Sequence, residues 1–142
     1  MKITATVLNE VEAHRVVVCT GKTSRSIEIP PKETGSGSSV NGGELLMAAL
    51  ATCYCNDIYR EAAKRKIDIE SVEVEAEAEF EAEGEAAKAV SYRACVKARA
   101  SEDDIRALVM HTDKVAEIQN TVRAPTPVLL KSIEAITVSM NL

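Results

Sequence analysis

The sequence predicts an α+β domain, a mostly antiparallel sheet around a long buried central helix, on three observations. A helical pattern runs from Gly42 to about Lys66 and is apolar at every position from Leu45 to Ala51. Residues 72–82 and 90–98 alternate apolar and polar side chains with a strict period of two, the pattern of strands with one face buried. Ser101-Glu102-Asp103-Asp104 reads as a capping box with acids in the first turn, opening a second helix. No repeat, linker or low-complexity segment interrupts the order, so residues 1–142 are expected to form a single domain, long enough to bury a core.

The elements follow in turn. Strand signals occupy Ile3–Val7, Arg15–Cys19 and Ser26–Ile29, with a turn at Thr20-Gly21-Lys22. Pro30-Pro31 ends this meander and a Gly/Ser loop leads to Asn41. The helix that follows is apolar first, then amphipathic, with Ile58, Tyr59, Ala62 and Ala63 inward and Arg60, Lys64, Arg65 and Lys66 outward. Those late cations suit a helix C-terminus.

Next, Glu73, Glu75, Glu77, Glu79, Glu81 and Glu83 alternate with Val72, Val74, Ala76, Ala78, Phe80 and Ala82. Composition alone suggests helix or disorder; the period of two says strand. Gly84 turns the chain into residues 87–100, which place Arg93, Cys95, Lys97 and Arg99 in the polar phase, beside the Glu row in an antiparallel hairpin. The second helix carries Ile105, Leu108, Val109, Thr112, Val115, Ala116 and Gln119 on one face. After Ala124-Pro125, Thr126 can cap a short helical turn with Pro127 in its first position, and Ile136, Val138 and Met140 alternate as a closing strand.

Composition narrows the function classes. With three Tyr, one Phe and no Trp, the core must consist of Val, Ile, Leu, Met and Ala. A net charge of −5 without a basic patch argues against nucleic acid as a partner. No apolar run approaches the length that spans a bilayer. Met1–Val7 reads as a strand rather than a signal peptide, so a cytoplasmic location is expected, with Cys19, Cys53, Cys55 and Cys95 reduced.

A helix apolar on every side must be covered on every side. One small domain can hardly do this alone, so Leu45–Ala51 is expected at the interface of a homodimer, which encloses the cysteine that follows. Cys53 and Cys55, two apart and so roughly 200° apart around the helix, face different ways. Neither metal nor cofactor is expected: the one Cys-x-Cys lies inside a helix, and His14 and His111 stand alone. On the Cys53 face lie Ala49, Leu50, Asn56 and Asp57, and a carboxylate there would raise the thiol pKa. A peroxidatic thiolate would need a cation from another element, with Arg15 or Arg25 the candidates.

Taken together, Ile29-Pro30-Pro31, the Gly/Ser loop, Glu44-Leu45-Leu46-x-Ala48-Ala49-Leu50-Ala51-x-Cys53, the Glu-rich hairpin and the capped second helix resemble the OsmC/Ohr family (osmotically inducible and organic hydroperoxide resistance proteins). The resemblance implies an intertwined homodimer that reduces organic hydroperoxides through a reactive cysteine on its central helix, the position of Cys53. It also implies an acid and an arginine in the site, for which Glu44 and Arg15 are the candidates. The chain departs from the family in two places. Peroxidases of the family have a Glu ten residues before the reactive cysteine, where this chain has Gly43. They also carry a resolving cysteine in a Cys-Pro-Val-like stretch. Here Thr126, or Asn120 in a shorter alignment, takes that position, and no cysteine follows Cys95. The expected function is thiol-dependent reduction of organic hydroperoxides through Cys53 in oxidative-stress defence, with an external thiol as reductant. The alternative is a non-catalytic OsmC-like dimer that binds a small apolar ligand in the interface cleft.

Overall fold

In the computed structural model, which describes residues 1–138, the acid-rich segment folds as the period of two predicts. Strands β4 (Asp68–Glu79) and β5 (Lys88–Arg99) pair antiparallel, with Glu75 opposite Arg93 and Glu73 opposite Cys95. Val72, Val74, Tyr92, Ala94 and Val96 line the inner face and the charges line the outer one. Arg93 Nε donates to Glu75 Oε2 at 2.7 Å, and Ser91 to Glu77 at 3.0 Å. Such exposed pairs are worth under about 1 kcal/mol each, so they set register more than stability. Phe80 departs from the expected inward phase: β4 ends one residue earlier, and its ring is 54 % exposed.

Helix α1 (Gly42–Lys64) lies on the inner face. Leu50, Tyr54, Ile58 and Ala62 recur every four residues and are buried, and Tyr54, Ile58 and Ala62 join Leu108 and Ala116 in the core cluster. Tyr59 and Ala63, expected inward, point to solvent because they lie off this stripe. The N-terminus carries a complete capping box: Glu44 N–H donates to Asn41 Oδ1 at 2.9 Å, and Asn41 N–H donates to Glu44 Oε2 at 2.8 Å. The C-terminus closes with Lys66 at φ 58°. Ile67 N–H donates to Ala62 O and Lys66 N–H to Ala63 O, satisfying carbonyls the helix leaves open.

The second helical segment is broken. Helix α2 (Glu102–Val115) and helix α3 (Glu117–Arg123) meet at Ala116, whose backbone is extended (ψ 110°). The break frees carbonyls at the end of α2, and side chains meet them: Arg123 donates to Asp113 O at 3.0 Å, Asn120 to Lys114 O at 3.1 Å and Arg60 to Val115 O at 3.5 Å. At the start of α2, Ser101 accepts from Asp104 N–H, and Asp104 returns its carboxylate to the Ser101 hydroxyl rather than to the backbone.

The amino-terminal strands β1 (Ile3–Glu10), β2 (Ala13–Thr20) and β3 (Thr23–Ile27) form a separate antiparallel sheet in the order β1-β2-β3. β3 ends two residues before the expected Ile29. Asn9 ties this sheet to the loop before α1, exchanging two 3.2 Å hydrogen bonds with the Gly37 backbone. Among the described residues no other element packs extensively on it, and Ile3, Val7, Leu8 and Ile27 are exposed. The expected helical turn at Thr126-Pro127 is absent: Thr126 Oγ1 donates to Thr121 O instead, and residues 125–138 run without regular structure. A closing strand is therefore absent at Ile136 and Val138, and Met140 lies outside the described residues.

Candidate functional site

Along the second half of α1, Cys53, Asp57, Glu61 and Lys64 follow one another every three or four residues, with Arg60 three after Asp57, so their polar side chains share one strip beside the buried stripe. The break at Ala116 brings Glu117 against this strip. Cys53 Sγ donates to Asp57 Oδ2 at 3.4 Å, and Asp57 is only 5 % exposed. Arg60 Nη1 lies 2.9 Å from Asp57 Oδ1 and 3.0 Å from Glu117 Oε1, while its Nε donates to Glu61 at 2.9 Å. Glu61, also buried, receives Lys64 Nζ at 2.8 Å and faces His111 Nε2 at 3.2 Å. One guanidinium thus ties three carboxylates together next to the thiol.

Burial pushes the Cys53 thiol up from its ordinary value. The Ile118 N–H opposes that shift, but Asp57 and Glu117 add to it. The Asp57 carboxyl is also raised, by burial first, against the pull of Cys53 and Arg60. Cys53 Sγ and carboxylate oxygens of Asp57 and Glu117 fall within 4.8 Å of one another, the geometry of a possible metal centre. Arg60, bonded to both acids, already supplies the positive charge a cation would bring there.

Within the chain, neither of the other two predicted site residues sets the surroundings of the Cys53 sulfur. Glu44 is committed to the capping box at the start of α1, and Arg15 is exposed on β2 in the separate sheet. Arg60, Glu61 and Glu117 are not among the site residues the sequence predicts. The spacing of Asp57, Arg60, Glu61 and Lys64 was visible as a signal for the first two. Nothing in the local sequence announces Glu117.

Glu61 makes the cluster sensitive to acid. Hydrogen bonds from Lys64 and Arg60 hold its carboxyl down, to about 2 from an ordinary 4.5. Folding therefore favours the ionised form, and this contribution is complete above about pH 4.5 and lost as pH falls toward 2. Glu61→Gln should lower stability at neutral pH and flatten the stability curve over that window in urea titrations. Asp57, shifted the opposite way, tilts the slope in the other sense, so the readout is the difference between variant and parent. Parallel curves would mean that the cluster does not hold the Glu61 charge.

The family model described as OsmC-like protein matches residues 35–131, which carry α1, the hairpin and both later helices. The chain belongs to the OsmC-like protein family. Solved structures share the OsmC-like fold. The OsmC-like protein from Mycoplasma pneumoniae superposes with a TM-score of 0.61 at 17 % identity, over 87 % of each chain. An organic hydroperoxide resistance protein from Elizabethkingia anophelis, carrying thiocyanate, gives 0.59 at 18 %, over 88 % of this chain and 90 % of its own. An organic hydroperoxide resistance protein from Legionella pneumophila gives 0.56 at 22 %, over 87 % and 90 %. Comparison with curated proteins finds no match. Among the described residues, no helix of this OsmC-like chain is long and apolar enough to cross a membrane. Gly43, in the first turn of α1, is closely covered. A Cβ built there would stand 3.3 Å from Phe80 Cε2 and 3.2 Å from Asn41 Oδ1, so the Phe80 ring closes the space a side chain at that position would enter.

Proposed function

We propose that this OsmC-like protein reduces organic hydroperoxides through Cys53, with Asp57 rather than a cation receiving the thiol proton. The observation that carries this reading is the Cys53 S–H aimed at a buried carboxylate that Arg60 holds in place. With the thiol and the carboxyl both raised by burial, the carboxylate is a stronger base than in water. In the reaction, sulfur attacks the terminal peroxide oxygen and the O–O bond breaks. The thiol proton passes through Asp57 to the departing alkoxide, leaving a Cys53 sulfenic acid and an alcohol. No cysteine follows Cys95, so one external thiol condenses with the sulfenic acid to a mixed disulfide and water, and a second attacks that disulfide, releasing the Cys53 thiol and the reductant as its disulfide.

The working unit in this proposal is a cytoplasmic homodimer of one OsmC-like domain per chain. Arg15 and Glu44, which do not reach Cys53 along their own chain, are assigned to the partner's site. Their contribution would be to steady the peroxide and the developing thiolate.

A test follows reduced protein mixed with cumene hydroperoxide, with dimedone as the trap. Cys53→Ser should abolish peroxide consumption, Cys55→Ser should spare most of it, and Asp57→Asn should slow sulfenate formation at least tenfold at neutral pH. The raised thiol pKa favours the second reading, a non-catalytic dimer that binds a small apolar ligand in the cleft between subunits. If Cys53 stays unmodified by hydroperoxide at neutral pH, the peroxidase reading is wrong and the binding reading takes its place.

A further inference from the structure

The break at Ala116 places the first residues of α3 against Cys53. The Ile118 N–H bonds to the sulfur, and a Glu117 carboxylate oxygen lies within 4.8 Å of it. Asp57 and Glu117 are the charges of the chain that weigh most on this thiol, and both are negative. They differ in access to water. The Asp57 side chain is 7 % exposed and the Glu117 side chain 65 %, so Glu117 is the charge that an approaching molecule meets.

Arg60 does not cancel that charge. Its Nη1 is shared between Asp57 and Glu117, and its Nε is committed to Glu61. Lys64 also goes to Glu61, at 2.8 Å, and His111 faces the same carboxylate. Two cations thus serve three carboxylates, and the excess charge along the strip is negative. Arg15 and Glu44, assigned to the partner's site, carry one charge of each sign and leave that balance unchanged.

We infer that Glu117 selects the external thiol that attacks Cys53, favouring one with a positive charge close to its sulfur, an aminothiol in chemical class. The inference rests on the reading that an external thiol recycles Cys53. An attacking thiolate brings its own negative charge toward Asp57 and Glu117. An ammonium group on the same molecule offsets the repulsion, whereas a carboxylate adds to it. For an exposed charge about 6 Å from Glu117 in water, the Coulomb energy is worth roughly a threefold change in rate. Aminothiol and carboxythiol should therefore differ about tenfold at low ionic strength. High salt should narrow the difference.

The measurement starts from Cys53 carrying a methylthio group, installed with methyl methanethiosulfonate. It needs no peroxide, so its failure is distinct from failure of the peroxidase reading. Cysteamine, 2-mercaptoethanol or 3-mercaptopropionate is then added at equal thiolate concentration. The probe sulfur forms a new S–S bond as the old one breaks, and Cys53 leaves as a thiolate that takes a proton from water. Peptide mass spectrometry reads Cys53 apart from Cys19, Cys55 and Cys95. Each rate is divided by the rate of the same thiol on a free methyl disulfide, which removes differences in intrinsic nucleophilicity. Cysteamine should be fastest and mercaptopropionate slowest. Glu117→Gln should bring the three within about twofold of one another. Glu117→Lys should reverse the order, and Glu117→Asp should retain it. A purely structural role for Glu117 would change all three rates together and overturn the assignment. Equal corrected rates in the parent protein would do the same, as would a Cys53 that accepts no methylthio group in the folded protein.

Discussion

Ala48→Glu is expected to leave almost no folded protein at micromolar concentration, whereas the parent chain should sediment as a dimer with no folded monomer. Along the apolar half of α1, Leu45 is 42 % exposed within one chain, and Ala48 and Ala49 are exposed beside it. Ile3, Val7 and Leu8 on the uncovered amino-terminal sheet add more apolar surface, as do Val128, Leu129, Leu130 and Ile133 further on. Soluble monomers rarely display apolar surface on this scale. Covering it with a second copy would contribute about 1.5–3 kcal/mol for each large side chain fully buried. A carboxylate at position 48 would be carried into that interface without a partner, a cost of several kcal/mol. Analytical ultracentrifugation of the parent protein is the check. A stable, monodisperse, folded monomer at low micromolar concentration would overturn the dimer reading, and the assignment of Arg15 and Glu44 across subunits would go with it.

Leu108→Ala should be the most damaging truncation in the core of the single chain, costing about 2–5 kcal/mol. Leu108 is 0 % exposed and packs among Tyr54, Ile58, Ala62 and Ala116, at the point where α2 meets α1. Its neighbours have little freedom to collapse into the space. The Tyr54 hydroxyl is held by Val109 O at 2.7 Å, and the Tyr54 ring is set against Tyr92 with centroids 4.8 Å apart. Ile105→Ala, at a half-buried position on the same helix, should cost less than half as much. Urea unfolding of both variants at one fixed protein concentration keeps the contribution of dimer dissociation common to the two, so their difference reports the core. Equal effects, or a loss below about 1 kcal/mol for Leu108→Ala, would mean that the α1–α2 contact is not the centre of the core.

Much of the fold could be read locally. The hairpin follows from a strict alternation that no helix would tolerate, despite a composition of Glu and Ala that favours helix. Its charged face follows from placing Arg93, Lys97 and Arg99 beside the Glu row, and the structure sets Arg93 opposite Glu75. The second helix was legible in its start and its apolar face but not in its break, because Ala116 carries no breaking signal. The extended Ala116 is supported by Arg60, Arg123 and Asn120, which meet the carbonyls it exposes. The closing strand at Ile136 and Val138 shows the reverse failure. An alternating pattern marks a segment suited to a sheet, but a strand forms only where an edge is available to pair with it.

The same division runs through the candidate site. The sequence alone determined that Cys53 lies on a largely apolar helix, that Asp57 shares its face, and that no cysteine follows Cys95 in the 142 residues. Those facts depend on spacing within one element and on counting. Tertiary structure alone decided what surrounds the thiol. Glu117 reaches Arg60 across 57 residues, and Gln119 reaches the Leu50 carbonyl across 69. Both contacts depend on how two helices cross and where the second one breaks. Helical periodicity fixes which residues of one helix face the same way, but the partner that meets that face is set by packing among elements distant in the chain.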